Sequence, residues 1–125
     1  MNNPRILIVD DEPNIRASLA RWFRLSGFDV DVAEDGDLAV EKCATMKYDV
    51  ITMDIEMPRV NGVQAILAIR QCQPDASIIV LTGYARDSDE ASQCGATRIL
   101  SKPIRLRELE AAVRSVIARP PCPGP

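Results

Sequence analysis

Short apolar runs alternate with longer amphipathic segments along the whole chain. The runs predict five strands, at 5–9, 29–33, 48–54, 77–83 and 97–101. The first, third and fourth runs are apolar almost throughout, which is typical of strands buried on both faces. The second run, "DVDVA", alternates apolar and polar residues and predicts a strand that is only partly buried.

Between the strands, apolar residues recur with a helical period. The first helix is predicted from about Pro13, with Gly27 as its C-cap. Further helices are predicted at 37–46, 63–73 and about 106–117, and the polar segment 87–94 is either a short helix or a loop. The residues expected to face the core in the first three helices are Ile15, Leu19, Trp22 and Phe23, then Leu38, Ala39, Cys43 and Met46, and then Val63, Ile66 and Leu67, with Arg70 closing that face at the solvent boundary.

Strands that alternate with helices predict an α/β fold, with a parallel sheet and helices on both of its faces. A length of 125 residues fits one domain, which we place at 1–118. The remaining residues, 119–125, are rich in proline and are predicted to be a tail or the start of a linker.

Composition and charge exclude several classes of protein. The net charge of −3 and the sequence pI of about 4.9 argue against direct contact with nucleic acid. No apolar run approaches the roughly 20 residues that a membrane-spanning helix needs. The first residues, "MNNPRILIVD", do not resemble a signal peptide, so we expect a cytoplasmic protein.

The chain contains no histidine, and its four cysteines lie far apart. Catalytic triads that use an imidazole are therefore excluded, and zinc sites and redox pairs are unexpected. We interpret three of the cysteines as small apolar residues on helices. Any chemistry must rest on carboxylates, hydroxyls, lysine and a metal ion.

Polar side chains follow four of the five predicted strands. They are Asp10 and Asp11, Asp54, Thr82 and Gly83, and Lys102 and Pro103. Because parallel strands end at the same edge of a sheet, these groups are predicted to meet there. Carboxylate oxygens suit Mg²⁺, while a hydroxyl, a glycine N–H and an ammonium group suit phosphate oxygens. The set predicts a pocket for one phosphoryl group, with a carboxylate as the nucleophile.

Each of these residues also has a simpler interpretation when it is taken alone. Asp11 could cap a helix, Asp54 could cap a turn, and Thr82 could be an ordinary β-branched strand residue. Lys102 could be a solvated surface charge. Their joint occurrence at four strand ends favours a functional site.

Four motifs resemble those of response regulator receiver domains from two-component signalling, in order and spacing over residues 5–118. They are "ILIVDDEP" at 6–13, "VITMDIEMPRVNG" at 50–62, "IIVLTGYA" at 78–85 and "ILSKPI" at 99–104. The "TGYA" stretch looks most like receivers that control transcription. The resemblance implies a flavodoxin-like doubly wound sheet of five strands in the order 2-1-3-4-5.

The resemblance also implies a role for each site residue. Asp54 is expected to accept a phosphoryl group from a sensor histidine kinase or a phosphotransfer protein. The implied Mg²⁺ ligands are Asp10, Asp11, Asp54 and the backbone carbonyl of Glu56, and the implied phosphate-binding residues are Thr82, Gly83 and Lys102. The bond before Pro103 is expected to be cis. No enzymatic activity is expected beyond self-catalysed phosphotransfer and autodephosphorylation.

Phosphorylation is expected to change the surface formed by the fourth helix (87–94), the fifth strand and the final helix, and a homodimer through that surface is a further expectation. Switch candidates are Thr82, Tyr84 and Ile99, although Ile99 stands where the family usually has an aromatic residue. Glu56 adds a carboxylate near the pocket, which predicts unusual dephosphorylation kinetics. The stretch from Thr82 to Lys102 is about two residues shorter than is usual, which predicts a shortened fourth helix.

Three other functions remain open at this point. A pseudo-receiver would use the same fold as a binding module that does not depend on phosphorylation. A phosphatase with an aspartyl-phosphate intermediate is suggested by "DIEMP" at 54–58, but the chain has no obvious substrate pocket. A flavin-binding flavodoxin shares only the topology.

Overall fold

The structure, a computed structural model, describes residues 3–54, 62–83 and 95–118. Five strands form one sheet: β1 (Arg5–Val9), β2 (Asp29–Ala33), β3 (Val50–Asp54), β4 (Ser77–Thr82) and β5 (Arg98–Ser101). All neighbouring strands are parallel, and their order is β2-β1-β3-β4-β5. The predicted α/β fold and the strand order implied by the resemblance are both confirmed.

Four helices lie within the described residues: α1 (Pro13–Leu25), α2 (Gly36–Thr45), α3 (Gly62–Cys72) and α4 (Leu106–Ala118). None of these described helices is both long and apolar enough to cross a bilayer. The polar segment predicted at 87–94 and the tail at 119–125 lie outside the described residues.

The sheet separates two layers of core, because successive side chains of a strand point to opposite faces. Ile6 and Ile8 of β1 pack on the layer that α1 and α4 cover. Leu7 and Val9 pack on the layer that α2 and α3 cover. All four side chains are at most 1% exposed, so the uninterrupted apolar run in the sequence reflects burial on both faces.

Both ends of α1 have recognisable caps. The side chain of Glu12 accepts a hydrogen bond from the Asn14 backbone N–H at 3.3 Å, so Glu12 rather than Asp11 is the N-cap. Ser26 is the C-cap, and Gly27 follows it with a φ of +95°, a conformation that favours glycine. The predicted cap at Gly27 therefore lies one residue beyond the observed one.

Three residues predicted to face the core are exposed instead. Ile15 in the first turn of α1 is 47% exposed, and the buried residues of this helix, Leu19, Ala20 and Phe23, begin one turn further on. Met46 is 40% exposed because α2 has ended and its backbone is extended there. Leu67 is 47% exposed, since it sits beside the narrow stripe of Ile66 and Ile69 that faces the sheet.

Gln73, just after α3, ties three elements together through its buried side-chain amide. Its oxygen accepts a hydrogen bond from the Tyr48 backbone N–H at 3.0 Å. Its nitrogen donates to the carbonyl oxygens of Cys43 and Met46. The amide thus satisfies three backbone groups at the junction of α2, β3 and α3.

A polar cluster around Glu110 joins α1 to α4. The carboxylate accepts hydrogen bonds from the Trp22 indole N–H at 2.7 Å, from the Ser26 hydroxyl at 3.1 Å and from Arg114 at 2.8 Å. Arg114 also donates to the Ser26 carbonyl and lies 5.1 Å from the centre of the Phe28 ring. The C-terminal end of α1 is therefore fixed to α4.

Candidate functional site

The polar residues identified in the sequence converge at the carboxyl edge of the sheet. Asp10 directly follows β1, Asp54 ends β3, Thr82 ends β4, and Lys102 directly follows β5. These four strands are consecutive neighbours in the sheet. The topology therefore brings residues that are far apart in the sequence to one edge, as the alternation of strands and helices predicted.

Three carboxylates form the centre of this site. Asp10, Asp11 and Asp54 each place one oxygen so that all three oxygens lie within 4.8 Å of one another. Asp10 and Asp54 are 2% and 3% exposed, whereas Asp11 is open to solvent. Burial raises the pKa of Asp10, and the charges of Asp54 and Asp11 raise it further, against the lowering effects of the Glu12 N–H bond and Lys102.

Lys102 compensates part of the negative charge of the three carboxylates. Its Nζ lies 2.8 Å from Oδ2 of Asp54, whose side chain is 5% exposed. The Lys102 backbone N–H donates to the Thr82 carbonyl at 2.8 Å, so the position of the lysine is tied to the end of β4. The bond between Lys102 and Pro103 is cis.

The donor set of this site fits a hard divalent cation. All three converging ligands are carboxylates, and no thiolate or imidazole lies among them. Mg²⁺ and Mn²⁺ prefer such oxygen ligands, and a dication would relieve the repulsion among the three acids. The implied fourth ligand, the carbonyl of Glu56, lies outside the described residues.

Three hydrogen bonds hold Asp10 in place. Its backbone N–H donates to the Ala33 carbonyl at 3.2 Å. Its carboxylate Oδ1 accepts from the Glu12 N–H at 2.9 Å, and its carbonyl accepts from Nη1 of Arg16 at 2.8 Å. Arg16 was not among the predicted site residues; its signal in the sequence is a basic residue in the first turns of the helix that follows the acids.

A groove of about 740 Å³ opens beside Asp10 and Lys102. It runs between α1 and the segment that follows β5. Side chains of Asn14, Ile15, Pro103 and Ile104 are among those lining it. A largely apolar groove therefore borders the acid cluster on the side of Asp10.

The remaining predicted site residues have different outcomes. Thr82 is 2% exposed at the end of β4, and Gly83 follows it at the wall of the groove. Ile99 is partly buried and packs on the core layer of α2 and α3. Tyr84 and Glu56 lie outside the described residues, so their predicted contributions stay predictions.

Comparison with families of known proteins gives a match over most of the chain. The family described as "Response regulator receiver domain" matches residues 6–114. Transcriptional regulatory protein PrrA of Mycobacterium tuberculosis is 37% identical over 121 residues, which cover 95% of this chain and 52% of PrrA. Regulatory protein AtoC of Escherichia coli is 38% identical over 90% of this chain and 25% of AtoC. The chain thus spans about half of PrrA and a quarter of AtoC.

Solved structures share the fold over nearly their whole length. The CheY-like response regulator receiver domain protein of Methanospirillum hungatei has a TM-score of 0.90 at 25% identity, covering 94% of this chain and 95% of that one. Response regulator TrrA of Thermotoga maritima, solved in complex with Mg²⁺ and BeF, has a TM-score of 0.81 at 38% identity. That match covers 90% of this chain and 98% of TrrA.

Proposed function

This chain belongs to the response regulator receiver domain family, and from that premise we propose that it is a phosphorylation-dependent signalling module in which Asp54 accepts a phosphoryl group. The proposed donor is the phosphohistidine of a sensor histidine kinase or of a phosphotransfer protein, and the reaction depends on Mg²⁺. The observation that supports this most directly is the 2.8 Å contact between Lys102 and Asp54 beside two further carboxylates.

The proposed reaction assigns a task to each of the site residues. An oxygen of Asp54 attacks the phosphorus, the phosphorus–nitrogen bond of the donor breaks, and the imidazole nitrogen keeps the electron pair. Lys102 and the Thr82 hydroxyl stabilise the charge on the phosphoryl oxygens. Asp10, Asp11 and Asp54, with the Glu56 carbonyl, would hold Mg²⁺, which when bound neutralises phosphoryl oxygens and lets an anionic donor approach an anionic nucleophile.

The proposed output is a change at the surface of residues 87–94, β5 and α4. The phosphoryl group adds roughly one to two negative charges at Asp54, which draws Lys102 and Thr82 toward it. Thr82 ends β4 and Lys102 follows β5, so their movement would be passed to both strands. The name of the relative PrrA, a transcriptional regulatory protein, makes transcription the proposed process, with another part of such a protein making the DNA contact.

The first prediction tests phosphorylation at Asp54. We expect that incubation with acetyl phosphate and Mg²⁺ adds the mass of one phosphoryl group to the intact protein. Chelation of Mg²⁺ or the substitution Asp54→Asn should abolish the adduct, and Lys102→Ala should reduce its yield because the phosphoryl oxygens lose their cation. Intact-mass spectrometry measures all four samples.

Two results would contradict the proposal. An unmodified wild-type protein would favour the pseudo-receiver, in which the fold binds partners without phosphate transfer. An adduct of equal yield in Asp54→Asn would place the modification elsewhere.

A further inference from the structure

We propose that Arg16 is a positioning residue for the acid cluster: it binds the Asp10 carbonyl and so fixes the β1–α1 turn that presents Asp10 and Asp11 to a divalent cation. The inference rests on the proposed function, because it concerns the Mg²⁺ that phosphotransfer would require. Arg16 itself is not proposed as a metal ligand.

The turn that Arg16 fixes contains three consecutive acids, Asp10, Asp11 and Glu12. Repulsion among their charges favours an open turn when no cation is bound. Arg16 lies on the first turns of α1, and its backbone N–H donates to the Glu12 carbonyl at 2.9 Å. Its side chain donates to the Asp10 carbonyl at 2.8 Å. The two bonds therefore join α1 to both ends of the acidic turn.

The carbonyl of Asp10 needs this partner because β1 ends at Val9. Asp10 is 2% exposed, and a buried carbonyl without a hydrogen bond is costly. With the Arg16 bond in place, the backbone of Asp10 is held on both sides, by Ala33 and by Arg16. Its carboxylate then uses Oδ1 for the Glu12 N–H, and Oδ2 makes no hydrogen bond to a described residue.

The contact of Arg16 is a hydrogen bond from Nη1 to a neutral backbone carbonyl, so it depends on where the N–H group is placed rather than on the net charge of the side chain. Residues that hold metal ligands in place typically change metal affinity by about 10–100-fold when they are removed. We expect the loss of Arg16 to lower the affinity for Mg²⁺ by a factor in that range.

The second prediction compares Arg16→Met with Arg21→Met in the full chain. Both changes remove one positive charge from α1, but Arg21 is exposed and makes no hydrogen bond or ion pair to a described residue. We expect Arg16→Met to raise the Kd for Mg²⁺ by about tenfold or more and Arg21→Met to leave it unchanged. Isothermal titration with Mg²⁺, repeated at high salt, measures the effect. Loss of a positive charge near the cation would by itself lower the Kd and is screened by salt, whereas loss of positioning raises the Kd at both salt concentrations.

Two further readouts separate positioning from general destabilisation. Hydrogen exchange of the Glu12 amide should become faster in metal-free Arg16→Met and stay unchanged in Arg21→Met, since that amide binds Asp10. Phosphorylation by acetyl phosphate should need more Mg²⁺ for half-maximal rate but reach the wild-type rate at saturation. If Arg16→Met does not fold, Arg16→Lys serves instead, because it keeps the charge but shortens the side chain and loses the planar fork.

Equal Mg²⁺ affinity in the Arg16 and Arg21 variants, with wild type binding normally, would overturn the role of Arg16 and leave the proposed function intact. A wild-type protein that does not bind Mg²⁺ would overturn both. Tighter Mg²⁺ binding in Arg16→Met that returns to the wild-type Kd at high salt would also overturn the positioning role, because it would show that Arg16 acts only by repelling the cation.

Discussion

At the scale of single residues, Asp10 shows that a residue of the site can lower the stability of the folded protein. It is buried beside two other carboxylates, and its burial raises its pKa above the ordinary value of 3.8. The folded protein therefore holds a proton on Asp10 more tightly than the unfolded chain does. The contribution of this group to stability is present at low pH and is lost as the pH rises through its folded-state pKa.

The third prediction follows from the loss of stability that ionised Asp10 causes. Without metal at neutral pH, Asp10→Asn should raise the midpoint of thermal unfolding by a few degrees, because it removes one buried like charge. Mg²⁺ should stabilise the wild-type protein and have little effect on the variant. Thermal denaturation with and without Mg²⁺ measures both, with the exposed Asp29→Asn as the matched loss of charge. A less stable metal-free Asp10→Asn would contradict the argument.

The fourth prediction concerns Gln73, which is 7% exposed. Gln73→Leu should lower the free energy of unfolding by about 2–3 kcal/mol, because the Tyr48 N–H and two carbonyls lose their partner. The same substitution at exposed Gln71, two residues earlier, removes an amide of equal size. Urea denaturation compares the two variants; equal losses would show that the buried amide contributes nothing specific.

At the scale of elements, strands were predicted more reliably than helix faces. β1 and β2 have the predicted bounds, and the other strands differ by at most two residues. Burial on both faces leaves a continuous apolar run that is easy to recognise. The exposed Ile15, Met46 and Leu67 could not be identified in this way, because the width of a buried stripe depends on where the helix sits on the sheet.

The fifth prediction concerns the junction of α1 and α4. The hydrogen bond from Arg114, with those from Trp22 and Ser26, holds the pKa of Glu110 below its ordinary value of 4.5. The stability it contributes is therefore present above 4.5 and lost as the pH falls through the lower, folded-state pKa. Because the carboxylate lies near the surface, solvent screening limits this contribution to about 1 kcal/mol or less.

Glu110→Gln should accordingly be less stable than wild type at neutral pH, and the difference should shrink in acid. Urea denaturation followed by circular dichroism at several pH values measures this. Glu41→Gln, at an exposed position of α2, provides the control. A difference between Glu110→Gln and wild type that stays constant with pH would assign the effect to packing rather than charge.

At the scale of the whole molecule, the sequence located the site because topology alone brings strand ends together. The types of residue at those ends then indicated a cation and a phosphoryl group. The alternation of strands and helices along the chain fits several doubly wound sheets, so it could not determine the order of the strands. The family resemblance supplied that order. The bond from Arg16 to the Asp10 carbonyl could not be predicted, because a basic residue early in a helix does not reveal its acceptor and a backbone carbonyl carries no signature of its own.

The position of Trp22 has a practical consequence. It is the only tryptophan in the chain, and it lies nine residues after Pro13, about 13 Å along the axis of α1. Its indole is hydrogen-bonded to Glu110 and so reports on the contact between two helices rather than on the acids. If a ligand that binds at Asp10, Asp11 and Asp54 changes the fluorescence of Trp22, the change would therefore show long-range communication across the domain, and no dye would have to be attached.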